Sequence, residues 1–168
     1  MAEEVKDRII RYLQDAHAAE DGALSSLKDI AAEATNTDFK AAVEEHITVT
    51  QSQADRLATR IAALGGEKAH GKSLLNSIIA KGSGLLNVFH DQEDKQTQDA
   101  IKLYALENFE VATYTSLKAF SDSVGDFETA QLADAILAEE QLAAERILRV
   151  LPTLAKSAVA NVAPQATL

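Results

Sequence analysis

Glu20, Thr50, Gln53, Glu107, Glu110 and Glu140 fall on the apolar stripes of long amphipathic segments, at positions where a helix bundle normally takes Leu or Ala. A carboxylate buried alone in such a core is strongly disfavoured, so cores exclude it unless a partner is present. The four glutamates total −4 if all are ionised, and two divalent cations neutralise that charge. Without cations they must take up protons, because desolvation and mutual repulsion both oppose ionisation. Oxygen-rich donor sets suit hard or borderline ions such as Fe(II) and Mn(II). Carboxylates projecting inward from the helices of a bundle form dimetal sites. The chemistry indicated is therefore the binding of two ions, Fe or Mn.

A second explanation stays open on the residues alone. The layer can be a hydrated, metal-free polar core in which Tyr104, Tyr114 or Arg56 satisfies the carboxylates. The protein would then be a non-enzymatic structural or interaction module whose polar layer fixes helix register.

The elements that must position these residues are helices. Of 168 residues, 46% are hydrophobic, only 2 are proline, and Ala, Leu, Glu, Lys and Gln, all strong helix formers, dominate. Ile9, Leu13, Ala16, Glu20, Leu24, Leu27 and Ala31 recur at steps of three and four, which predicts a helix from about Ala2 to Ala34. Thr35-Asn36-Thr37-Asp38 is rich in N-cap residues and opens a second helix, with the stripe Phe39, Val43, His46, Thr50, Gln53, Leu57, Ile61, Leu64. Gly65-Gly66 ends it. A crossover over 65–93 is expected to hold a short helix from about Ser73 to Lys81. A third helix follows from about Asp94 to Ser123, the turn Val124-Gly125-Asp126, and a fourth helix from Phe127 to about Leu151. Pro152 limits continuation of the fourth helix only weakly, since Thr153 to Val159 can resume a turn or two. The fold class is all-α: one four-helix bundle over 1–159 with a long crossover, and a flexible tail over 160–168.

Antiparallel helices joined by a short turn hold equidistant residues at one height. Glu110 and Glu140 lie symmetrically about Gly125, with Glu107 one turn away; Glu20 and Thr50 lie symmetrically about Thr35. The two hairpins share an offset, 53 − 20 = 33 and 140 − 107 = 33. His46, two turns from Gln53, is placed off the carboxylate level, as a buried hydrogen-bonded histidine in preference to a ligand. His17, three residues before Glu20, either faces the site or pairs with Glu20 or solvent. Glu44, Glu45, Glu139 and Glu145 are assigned to the solvated surface, and His70 and His90, in or beside the crossover, receive no role.

The net charge of −10 offers no basic face for nucleic acid or an anionic membrane. The absence of cysteine excludes thiolate metal sites, Fe–S clusters and cysteine nucleophiles. The charged N-terminus lacks an apolar signal core, and no run is long and apolar enough to span a bilayer, so a cytoplasmic location is expected. Gly71-Lys72-Ser73 lacks the upstream glycines of a phosphate loop, and Gly82-Ser83-Gly84 is no nucleophile elbow.

With these residues in place, the chain resembles the ferritin-like stress proteins of the YciE and YciF type. The resemblance is carried by Asp15 to Glu20, by Phe39 to His46 continuing through Thr50 and Gln53 to Leu57, by Leu106 to Tyr114, and by Leu137 to Glu140. It implies a ferritin-like bundle, a homodimer and a dimetal centre. Glu20, Gln53, Glu107, Glu110 and Glu140 would be the metal residues, with His17, Thr50 and Tyr114 beside them. Tyr104 or Tyr114 would be a redox-sensitive neighbour. Ferritin and rubrerythrin relatives carry Glu-x-x-His on the second and fourth helices; here the matching pairs are Gln53 with Arg56 and Glu140 with Ala143. Glu107-x-x-Glu110 resembles the third helix of rubrerythrins, and Asn108 stands where close relatives often have His.

Overall fold

Each predicted stripe is buried along one helix. In the computed structural model, which describes residues 2–68 and 94–162 (backbone only for 159–162), four helices follow in order: α1 (Glu3–Glu33), α2 (Thr37–Ala63), α3 (Lys95–Ser123) and α4 (Phe127–Val162). Among the described residues there is no strand. The short helix expected at 73–81 and most of the crossover lie outside the described residues, as does 163–168. The helices pair as two hairpins, α1 with α2 and α3 with α4, which join chiefly through α2 and α4.

Local chemistry sets each reversal. Asn36 accepts a hydrogen bond from Phe39 N at 3.0 Å and caps α2. Gln96 Oε1 accepts from the backbone N–H of both Thr35 and Asn36 at 2.8 Å, tying this turn to the start of α3. Gly125 has φ +76° and lets Asp126 N–H reach back to Ser121 O at 2.9 Å. Asp126 then caps α4 by accepting from Thr129 N at 3.2 Å, and Arg60 on α2 holds the same carboxylate at 2.5 Å.

The fourth helix does not stop near Leu151. It runs through Pro152 to Val162, past the predicted start of the tail at 160. An internal proline removes one hydrogen bond and costs about 3 kcal/mol. Beyond it, Leu154 and Ala158 are both buried, and Leu154 packs in the cluster of Leu27, Phe39, Val43, Ala100 and Leu103, so tertiary burial offsets the break.

Two apolar plugs fill the bundle. One gathers Ile9, Leu13, Leu57, Ile61, Leu117 and Ile136; the other contains Leu27, Phe39, Val43, Leu103 and Ile147. Along every helix the polar residues of interest lie between them, so the layer is closed at both ends by close-packed hydrocarbon.

Candidate metal centre

All four helices contribute to this layer: Glu20 from α1; His46, Thr50 and Gln53 from α2; Glu107, Glu110 and Tyr114 from α3; Glu140 from α4. The four glutamates are no more than 1% exposed, and Gln53 and Thr50 are fully buried. Single donor atoms of Glu20, Glu110 and Glu140 lie within 4.8 Å of one another, and so do those of His46, Glu107 and Glu140. Glu140 belongs to both groups.

Burial is the main force on every one of these acids. It lifts Glu20 and Glu110 well above the ordinary carboxylate range, and neighbouring carboxylates add to the effect. Burial pushes Glu107 up to about 7. Glu140 rises to about 9, through burial and then through the neighbouring Glu107 carboxyl. His46 moves the other way, its charged form disfavoured by burial, which keeps the imidazole neutral with a lone pair available.

The hydrogen bonds that exist are few. Tyr114 donates its hydroxyl to Glu20 Oε1 and is itself held protonated by burial and by the Glu20 charge. Gln53 donates to Glu140 Oε1, and at 3.1 Å to Glu139 Oε2. Seven buried oxygens of the layer have no partner among the described residues: Glu20 Oε2, Gln53 Oε1, both oxygens of Glu107, both of Glu110, and Glu140 Oε2. His46 Nε2 stands 2.9 Å from Glu107 Oε2 and 3.8 Å from Glu140 Oε2, yet neither oxygen is hydrogen-bonded. Orphaned lone pairs converging in a closed layer are what two divalent cations require, so the donor set fits Fe or Mn.

Removal of the one hydroxyl that serves Glu20 isolates that carboxyl. Tyr114→Phe should lower the stability of the metal-free protein by about 1–3 kcal/mol, the cost of a buried group left unsatisfied, measured by urea unfolding. An unchanged midpoint would show that Tyr114 packs without supporting Glu20.

Three expectations change. His46 is not off the carboxylate level. The layer is two turns tall, spanning Glu110 and Glu107, and His46, one turn from Thr50, matches the Glu107 height. The i, i+4 pair His46/Thr50, with Thr50 Oγ1 3.5 Å from Nε2, was a legible signal for this. His17 is buried but pairs with Asp21 Oδ2 at 3.2 Å in place of Glu20. Glu139 is no free surface acid; Arg56 and Gln53 both bind it at the edge of the layer. Arg56 therefore serves Glu139 and leaves the buried glutamates without a cation.

Comparison with known proteins bears on the same geometry. Residues 4–160 match the family described as a domain of unknown function, DUF892. The chain belongs to the DUF892 family. This DUF892 chain shares its fold with the Escherichia coli stress protein YciF, at 18% identity and a TM-score of 0.78 over 92% of this chain and 99% of that one. A Xanthomonas campestris protein is similar at 23% identity and a TM-score of 0.77, over 94% and 97% of the two chains. A ferritin-like, diiron-carboxylate protein from Bacillus anthracis aligns at 20% identity and a TM-score of 0.70, over 90% and 99%. The DUF892 chain is thus a ferritin-like helical bundle. No helix among its described residues is long and apolar enough to cross a membrane.

Proposed function

We propose that this protein binds two Fe or Mn ions in the layer formed by Glu20, Gln53, Glu107, Glu110 and Glu140, and that it acts on dioxygen or peroxide as a ferritin-like stress-response protein in the cytoplasm. The supporting observation is the set of seven buried, unpartnered oxygens facing one another from four helices. A metal-free polar core, the alternative structural or interaction module, would satisfy such oxygens with internal donors, since a half-satisfied polar network is worse than an apolar core. Here Tyr114 and Gln53 are the donors that reach the glutamates by hydrogen bond, among the described residues.

Two Fe or Mn ions held by Glu20, Gln53, Glu107, Glu110 and Glu140 would supply the two electrons that reduction of peroxide needs. The chain's own residues do the rest. The apolar plugs exclude water, Gln53 orients Glu140, and Tyr114 orients Glu20. Thr50 lies beside His46. His17, engaged with Asp21, stands outside this set. A homodimer is part of the same proposal and rests on the family resemblance.

Elemental analysis of protein purified without chelator tests the binding. Two equivalents of Fe or Mn per chain are expected, and a Glu20→Ala/Glu140→Ala variant should retain less than a tenth of that. Sedimentation of the same preparation should give twice the chain mass. Metal-free protein with a melting temperature unmoved by added Fe(II) or Mn(II) would favour the structural module.

A further inference from the structure

α2 and α4 meet along a seam in which small side chains leave a pocket of about 80 Å³. His46 and Ala143 both line it, Val49 and Ile147 add apolar wall, and the ion pair of Glu45 with Arg146, at 2.6 Å, lies beside them. Ala143 follows Glu140 by three residues, on the same face of α4. In dimetal bundles this i+3 position is where a Glu-x-x-His motif supplies its imidazole. Here it carries a buried methyl group, 7% exposed, and the space a larger side chain would occupy is the pocket.

Heights in the bundle place His46 opposite this gap. Thr50, Glu110 and Glu140 share one level, counted from the turns at Thr35 and Gly125. One helical turn along, towards the plug that holds Phe39, Leu103 and Ile147, come His46 on α2, Glu107 on α3 and Ala143 on α4. The close approach of His46 Nε2 to Glu107 and Glu140 without a hydrogen bond is the geometry of donors that share a central point.

We propose that His46 supplies from α2 the imidazole that a Glu-x-x-His motif would place at position 143 of α4, so that one ion takes Glu107, Glu140 and His46 while the other takes Glu20, Glu110 and Glu140. This rests on the dimetal proposal above. It makes the two ions unlike. One has a nitrogen donor and the other has oxygen alone, so the first position favours Fe(II) or Co(II) over Mn(II) more strongly than the second.

The test is a ligand swap between helices, read with Co(II) added to the metal-free full-length chain. Visible absorption reports nitrogen ligation, metal analysis after desalting gives stoichiometry, and circular dichroism melting confirms folding. The unaltered chain should take two ions. His46→Ala should lose one ion, or bind it at least tenfold more weakly, with loss of the associated bands; His46→Gln, which keeps the side-chain bulk, should do the same. The double variant His46→Ala/Ala143→His should recover the second ion and its bands. Two ions bound by His46→Ala with unchanged affinity and spectrum would overturn the proposal. So would a folded double variant that behaves like His46→Ala. If the unaltered chain takes up no Co(II), Fe(II) or Mn(II), the dimetal proposal itself fails, a result distinct from either of these.

Discussion

Freed of metal with a chelator, the protein loses stability as the pH rises from about 7 to about 8.5. The sign follows from the shifted carboxyls. Unfolded glutamates release their protons near the ordinary value of 4.5, whereas folded Glu140 holds its proton to about 9, and Glu20 and Glu110 are also raised well above 4.5. The folded state therefore binds more protons than the unfolded state over this window. Its stability, fully present below about 4.5, declines as pH climbs through the folded values. His46 works in the opposite sense because its folded value is lowered, but that contribution is complete above 6.5, where the unfolded histidine is neutral as well. Each carboxyl that stays protonated costs about 1.4 kcal/mol per pH unit, so Glu140 alone removes about 2 kcal/mol over the window. The melting temperature should fall by roughly 4–8 °C. Mn(II) at one hundred times its dissociation constant should add about 2.7 kcal/mol per ion and flatten the pH dependence, because ligation takes over from protonation. Melting curves with and without chelator across this range decide the matter; a chelated protein whose melting temperature holds steady or rises would contradict the assignment of these protons.

Glu110→Met should make the metal-free protein more stable and at least halve its response to metal. Both oxygens of Glu110 are buried without a partner, and its surroundings are the other acids and the apolar plugs. Leaving such a group unsatisfied costs about 1–3 kcal/mol, and well-packed apolar replacements of buried polar groups are often stabilising by a similar amount. Methionine fills nearly the same volume and adapts its shape to the gap. A gain of about 2 kcal/mol, or roughly 4–8 °C in melting temperature, is expected in chelator. Added Mn(II) should then give at most half of the stabilisation seen for the unaltered chain, because the donor group of Glu20, Glu110 and Glu140, which would hold one ion on the dimetal proposal, has lost a carboxylate. A chelated variant that melts below the unaltered chain would mean that Glu110 has a favourable role in the metal-free fold. A full metal response would remove it from the site.

Both outcomes express one property of the molecule. The polar layer is unfavourable for folding by itself, and on the dimetal proposal bound ions would offset that cost. The apolar plugs on either side supply the stability that the layer lacks, with Leu13, Leu27, Phe39, Leu57, Ile61 and Leu103 no more than 2% exposed. A bundle of this kind can carry unsatisfied acids at its waist only because close packing above and below is undisturbed.

Much of this arrangement was legible along the chain. Steps of three and four residues identified which face of each helix is buried, and the glutamates that interrupt those stripes are the ones that converge. Short turns at Thr35–Asn36 and at Gly125 fixed the pairing within each hairpin, so the level of Glu110 with Glu140 followed by counting. Composition pointed to an all-α chain without a thiolate site.

Other features depended on how the two hairpins dock. The height of His46 relative to Glu107 is a relation between α2 and α3, which no short turn connects; counting from Gln53 misplaced it by one turn. The partners of Gln53, Arg56 and Glu139 cross between α2 and α4 for the same reason. The continuation of α4 through Pro152 was decided by burial of Leu154 and Ala158 against distant helices, a gain that local propensity does not register. Periodicity is a property of one helix and fixes its buried face. Height and partnership between separate hairpins come from side-chain packing across them, and only the assembled bundle sets those.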